Sequence, residues 1–318
     1  MSNVAVKAAP LNPLKFRHPD ITAKGENRAS VGLVGLRTLW FNTGTLCNIT
    51  CVNCYIESSP RNDRLVYLSA AEVSSYLDEI DDLDLGTKEI GFTGGEPFMN
   101  RDIIPMLENT LGRGFQTLVL TNAMRPMMRW TEALLDLDRR YHPQLTFRVS
   151  IDHYSKAIHE GERGPRTWEP MMLGMSWLAQ NGFSLHVAGR HLSGESEAAL
   201  RAGYARLFAQ HGIALDAYDP VRLVLFPEMD EMQDVPEITD QCWGILNIHP
   251  DSMMCATSRM IVKRKEADRP SVISCTLLPY DRQFEMGDTL ANSAPAVKLN
   301  HPHCAKFCVL GGASCSRV

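Results

Sequence analysis

The chain has 318 residues, 44% hydrophobic and 22% charged, which is enough apolar material for a sizeable core and too little charge for a disordered chain. Lys and Arg total 32 against 37 Asp and Glu, a formal charge of -5, so there is no overall field for a phosphate backbone and nucleic acid is not an expected partner. No run approaches the roughly 18 apolar residues of a membrane span, and the N-terminus lacks the apolar stretch of a secretory signal, so no membrane is expected and the protein is read as cytoplasmic.

Nine cysteines in a cytoplasmic chain argue for metal or redox chemistry, because the cytosol keeps thiols reduced. Residues 1–36 carry Pro10, Pro13 and Pro19, then Gly25, Gly32 and Gly35, without periodicity, and read as an arm lying on the main domain. From Leu36 short apolar runs alternate with amphipathic stretches, the pattern of a parallel α/β fold. Strands are expected at 37–42, 88–93, 116–121, 144–151, 183–189 and 221–226. Helices are expected at 70–83, 101–112, 129–139, 167–181 and 195–211. Ser69 and Glu72 form a capping box for the first, and Gly212 closes the last. Six strands with five crossovers make a partial barrel over residues 37–227. After Pro227 the rhythm breaks, and residues 228–318 form a small cysteine-rich α+β module holding Cys242, Cys255, Cys275, Cys304, Cys308 and Cys315. Within it, 258–265 and 271–276 read as a hairpin whose base brings Cys255 and Cys275 together. Its tip, including Lys263-Arg264-Lys265, is expected to be solvated.

The most informative stretch is Cys47-Asn48-Ile49-Thr50-Cys51-Val52-Asn53-Cys54, just past the end of the first strand. Three thiols at this spacing converge only if the loop curls round one centre, which suits an iron-sulfur cube. A four-iron cube has four corners, so three cysteines either borrow a distant thiolate or leave one iron open. The alternatives are a structural zinc site or three buried thiols. Zinc knuckles, however, usually add a second Cys or His pair, and no His follows within the loop. At the end of the second strand stands Gly94-Gly95-Glu96-Pro97, where paired glycines allow close approach to a ligand; alone, this is only a turn.

Together the two motifs resemble the radical S-adenosylmethionine superfamily, whose C-x3-C-x2-C loop follows the first strand and whose GGEP ends the second. The resemblance covers about residues 37–226. It implies an α/β fold with a partial (β/α)6 TIM-like barrel, a [4Fe-4S] cluster on Cys47, Cys51 and Cys54, and S-adenosyl-L-methionine chelated by the open iron. By the same resemblance Gly94, Gly95, Glu96 and Pro97 bind the cofactor, as do Asn122 in Leu120-Thr121-Asn122 and Ser150 and Asp152 in Val149-Ser150-Ile151-Asp152. His159 and Arg163-Gly164 continue the run of the branch that carries a SPASM or Twitch tail. Two positions depart from the family pattern: Ala123 replaces a glycine, and Asn53 stands where an aromatic or His usually precedes the third cysteine.

For the tail, the resemblance implies one auxiliary [4Fe-4S] cluster, with Cys255 and Cys275 from the hairpin and Cys304 and Cys308 from the later loop. The choice between Cys308 and Cys315 stays open. If Cys315 is not a ligand, it is an inert thiol or a hydrogen donor to a substrate radical. The expected activity is reductive cleavage of S-adenosylmethionine to a 5'-deoxyadenosyl radical that abstracts hydrogen from a small-molecule or peptide substrate. An electron donor such as flavodoxin or ferredoxin would feed it. The short arm favours a small molecule over a ribosomal peptide. No catalytic side chain is singled out. The rival reading is a non-enzymatic iron-sulfur electron carrier or cluster scaffold, which needs neither an open-iron loop nor a glycine ledge.

Overall fold

The structure, a computed structural model, describes residues 9–228 and 230–312. Six parallel strands form its centre: β2 (Thr38–Asn42), β3 (Glu89–Thr93), β4 (Gln116–Thr121), β5 (Leu145–Ser150), β6 (Ser184–Arg190) and β7 (Leu223–Phe226), after a short β1 (Ser30–Val31). They lie in chain order and all run the same way, as the alternating pattern predicts. The sheet stays open rather than closing on itself. Its far side gains two strands from the tail, β8 (Ser258–Val262) parallel to β2 and β9 (Ser271–Ile273) antiparallel to β8.

Helices fill the crossovers: α1 (Ala70–Asp82), α2 (Ile103–Gly112), α3 (Arg125–Met128), α4 (Thr131–Tyr141), α5 (Lys156–Arg163), α6 (Trp168–Gln180) and α7 (Glu197–Gln210). The Ser69–Glu72 capping box is present at the start of α1. Two of these crossover helices were not expected, the single turn α3 and the helix α5. The α5 segment has few apolar residues, and His159 is its sole buried one, so hydrophobic periodicity gave no signal for it.

Successive strand side chains point to opposite faces, and both faces are covered. Leu39, Phe41, Ile90, Phe92, Phe147 and Val149 pack outward under the helices in one core. Trp40 and Leu118 point the other way, into a second core shared with Met260, Val262, Leu277, Phe284 and Phe307 of the tail. The tail also contains α8 (Cys242–Leu246) and β10 (Val297–Lys298).

The N-terminal arm lies on the tail, not on the barrel. Its β1 pairs antiparallel with β10, and the fully buried Arg28 meets Glu237 at 2.6 Å. The arm therefore follows the one surface that offers it a strand edge and a buried countercharge. Lys263, Arg264 and Lys265 are each paired, with Glu72, Glu285 and Asp63, and Lys265 with most of the tip beyond it is exposed as expected, while Lys263 and Arg264 are half-buried. Among the described residues no helix is long and apolar enough to cross a membrane.

Candidate metal and cofactor sites

Past Asn42 the chain runs through Thr43 to Leu46 alongside the ledge that follows β3. The Gly95 N–H donates to Gly44 O at 2.8 Å, the Glu96 N–H to Leu46 O at 3.2 Å, and the Thr43 N–H to Thr93 O at 2.8 Å. A Cβ at Gly95 would stand 2.2 Å from Leu46 O, and one at Gly94, where φ is +138°, 2.5 Å from Gly44 O. The two glycines thus admit the backbone that leads into the cysteine loop, besides facing the cavity.

Cys47, Cys51 and Cys54 line a single cavity of about 150 Å³ at the C-terminal ends of the parallel strands, together with Gly94, Gly95, Asn122, Ser150 and Asp152. Burial pushes the Cys47 thiol up to about 12 and raises Cys51 as well. Such thiols stay neutral unless a cation replaces their protons. The Cys54 sulfur accepts the Ser58 N–H at 3.3 Å, and Asn122 Nδ2 lies 3.9 Å from Cys47 Sγ and 2.9 Å from Asn48 Oδ1. Among the described residues no three His, Cys, Asp or Glu side chains are gathered tightly enough for a single ion, a closeness that a cube with iron at each corner does not require. The donor set fits an iron-sulfur cluster.

Glu96 and Pro97 stand behind the cavity and do not line it. Glu96 is 1% exposed. Its carboxylate accepts from Thr121 Oγ1 at 2.8 Å, the Asn122 N–H at 2.8 Å and the Phe98 N–H at 3.2 Å. Burial outweighs these bonds and pushes the carboxyl up to about 7. This residue ties the ends of β3 and β4 together. Beside it, Ala123 adopts φ +55°, so the left-handed turn that suits the family's glycine is kept although an alanine occupies it.

Asp152 is also buried, and Arg163 grips it through two bonds of 2.9 and 3.0 Å. Burial alone would raise this carboxyl, but the guanidinium wins and holds it below its ordinary value. His159 lies behind the site, packed edge-on against Trp168 with neither ring nitrogen hydrogen-bonded.

Helix α5 clamps the cysteine loop. The Val52 N–H donates to Glu162 O at 2.8 Å and Asn53 Nδ2 to Glu162 Oε2 at 2.8 Å. Asn53 is thus an anchor where the family usually has a ring, while Tyr55 lines the cavity. Arg190, Phe226, Leu277 and Phe307 are among the lining residues missed from sequence. Arg190 and Phe226 could have been read from their places at the C-terminal ends of strands; Leu277 and Phe307 come from the tail, where no periodicity points.

A second cavity is lined by Cys255, Cys275, Cys304 and Cys308. The hairpin register sets Met260 opposite Ile273, which brings Cys255 and Cys275 toward one end. A π-helical turn over Cys304–Val309 carries the other two, and such turns are frequent at functional sites. His303 lines the same cavity, and its Nδ1 is buried without a hydrogen-bond partner. Burial pushes Cys255 up to about 11 and raises Cys304 as well. Four thiols and an orphaned imidazole nitrogen around one cavity again fit a metal cluster. Cys242 lies elsewhere, its sulfur 3.3 Å from the Thr239 N–H; Cys315 falls outside the described residues. Arg259, in β8, is 0% exposed, and burial pushes it down to about 10.

A family model described as the radical SAM superfamily matches residues 41–201. The chain belongs to that superfamily. It is 29% identical over 144 residues to the antilisterial bacteriocin subtilosin biosynthesis protein AlbA of Bacillus subtilis strain 168, which is 45% of this chain and 30% of AlbA. It is 28% identical over 125 residues to a probable GTP 3',8-cyclase of Methanopyrus kandleri, 39% of this chain and 37% of the cyclase. The chain thus spans about a third of the length of these curated relatives. In fold it is similar to Streptococcus suis SuiB bound to the precursor peptide SuiA, with a TM-score of 0.60, 13% identity, and coverage of 83% of this chain and 66% of SuiB. Family membership implies a [4Fe-4S] cluster and S-adenosylmethionine.

Proposed function

We infer that the enzyme cleaves S-adenosylmethionine at a cluster held by Cys47, Cys51 and Cys54, abstracts hydrogen from a substrate in the same cavity, and carries one auxiliary [4Fe-4S] cluster on Cys255, Cys275, Cys304 and Cys308. The observation that carries this reading is the convergence of the three loop thiols with Gly94, Gly95, Asn122, Ser150 and Asp152 on one cavity. When bound there, the cluster and cofactor together supply one-electron chemistry, the sulfonium being split to methionine and a 5'-deoxyadenosyl radical.

The chain's own part is to position and to shield. Glu96 holds the ledge and the β4 end in register, and the Asp152–Arg163 pair puts a fixed charge arrangement beside Cys51. Phe226, Leu277 and Phe307 give the cavity an apolar wall that excludes water from a reactive radical. On the substrate, the bacteriocin biosynthesis role of AlbA and the precursor peptide bound to SuiB favour a peptide over a small molecule. The domain division at residues 36 and 227 is part of the same proposal, as are a flavodoxin- or ferredoxin-type donor and a cytoplasmic setting.

The test is anaerobic reconstitution, reduction with dithionite and assay for 5'-deoxyadenosine. Formation of the nucleoside is expected. A protein with intact clusters that leaves S-adenosylmethionine whole would overturn the reading.

A further inference from the structure

Among the described residues, no carboxylate pairs with the buried cation Arg259. Its Nε and Nη2 donate to Ser293 O at 3.0 and 2.8 Å, and Nη1 to Cys255 O at 2.6 Å and Ser258 O at 2.8 Å. These neutral carbonyls satisfy its donors and bring no charge. The contrast within the molecule is direct, for buried Arg28 has Glu237 and Arg163 has Asp152. A guanidinium keeps its charge, and an uncompensated buried charge costs several kcal/mol. The Arg259 Nη1 bond to Cys255 O sets the guanidinium beside the four-cysteine cavity that the Cys255 sulfur lines, so an anion held there stands where the missing countercharge is needed.

We propose that Arg259 is the countercharge of an anionic centre held by Cys255, Cys275, Cys304 and Cys308, and that it sets that centre's reduction potential. This rests on the auxiliary-cluster reading above. A cluster held by four thiolates is a net anion, and adding one electron makes it more negative. A fixed positive charge bonded to the carbonyl of one ligand stabilises the reduced form more than the oxidised one, and net charge and hydrogen bonding are known levers on such potentials. Arg259 is thus a tuning residue, one backbone unit removed from the iron. It makes the auxiliary centre a better electron acceptor.

The experiment uses the full-length chain with Cys47, Cys51 and Cys54 replaced by Ala, so that the auxiliary centre is read alone. The midpoint potential is measured by EPR-monitored titration with dithionite for Arg259, Arg259→Gln and Arg259→Lys, with iron counted in each. The Gln variant should keep its iron and become a tenfold weaker acceptor, a shift of about 59 mV to more negative potential for one electron. The Lys variant should stay close to the parent. An unshifted Gln variant, or a Lys variant that falls as far as Gln, would overturn the proposal. Should Gln lose its iron, thermal unfolding of chelator-stripped proteins decides: stripped Gln should be at least as stable as the stripped parent, and a clearly more stable stripped parent would make Arg259 merely structural. A parent chain that binds no iron at all would instead sink the auxiliary-cluster reading itself.

Discussion

Glu96 Oε2 accepts the backbone N–H of Asn122 at 2.8 Å, so the carboxylate after β3 fixes the residue that ends β4 and reaches toward Cys47. The group is buried and its pKa is raised to about 7 from an ordinary 4.5. A raised carboxyl contributes stability that is fully present below 4.5 and lost as pH climbs through 7. The shift corresponds to about 3 kcal/mol. Urea unfolding of iron-free protein should fall by about this much between pH 4 and 8, and Glu96→Gln should be less stable overall while losing that slope. A Gln variant with the parent's pH dependence would assign the titration elsewhere.

Replacing Cys47, Cys51 and Cys54 together with Ala should empty the first site and spare the second. Iron should drop from about eight to about four per chain if each site holds a four-iron cluster. Unchanged iron would remove the loop from consideration as a ligand set.

Gly95→Val tests the ledge. Its side chain would meet Leu46 O and Thr45 O, which lead directly into Cys47. The variant should lose S-adenosylmethionine cleavage and about half its iron while the tail cluster persists. Retention of both clusters and full cleavage would mean that the ledge yields more readily than its contacts indicate.

In iron-free protein, Asp152→Asn should destabilise the chain by about 3 to 5 kcal/mol, because it leaves Arg163 in a buried site without its carboxylate partner. Denaturant unfolding measures this, and a loss under 1 kcal/mol would show that solvent or another group compensates Arg163.

Cys308→Ala and Cys242→Ala should behave oppositely. The first removes a thiol that lines the four-cysteine cavity and should bleach the tail cluster's absorbance. The second removes an acceptor of the Thr239 N–H, and should keep full iron at a cost of about 1 kcal/mol.

The six strands were legible because each is an apolar run bounded by turn residues, and α1 because Ser69 and Glu72 announce it. The cysteine loop stood out by its spacing, whereas the glycine ledge, alone only a turn, was read through the resemblance that both motifs carry together. Helix α5 was not legible, since it is held by backbone and polar contacts such as Val52 N–H to Glu162 O rather than by an apolar face. The role of Glu96 was hidden for a related reason: a glutamate in a ligand motif reads as a ligand, and only the fold reveals that its oxygens are already occupied. Arg259 sits in an otherwise apolar strand, Ser258–Val262, where its missing countercharge has no signature in sequence.

The pairing of β8 with β2 has a consequence for the distance between the two cysteine sets. The strands are parallel, with Thr38 opposite Ser258 and Phe41 opposite Ile261. Cys47 follows the far end of one, and Cys255 precedes the near end of the other. A strand of this length is a rigid ruler, rising about 3.3 Å per residue and so spanning roughly 15 Å. On the proposal that both cysteine sets hold clusters, the frame between them is graduated in peptide units rather than left to a hinge. Sequence drift in the tail's loops can alter what surrounds Cys255, but the sheet that offsets it from Cys47 lengthens or shortens only by whole residues added to or lost from these strands.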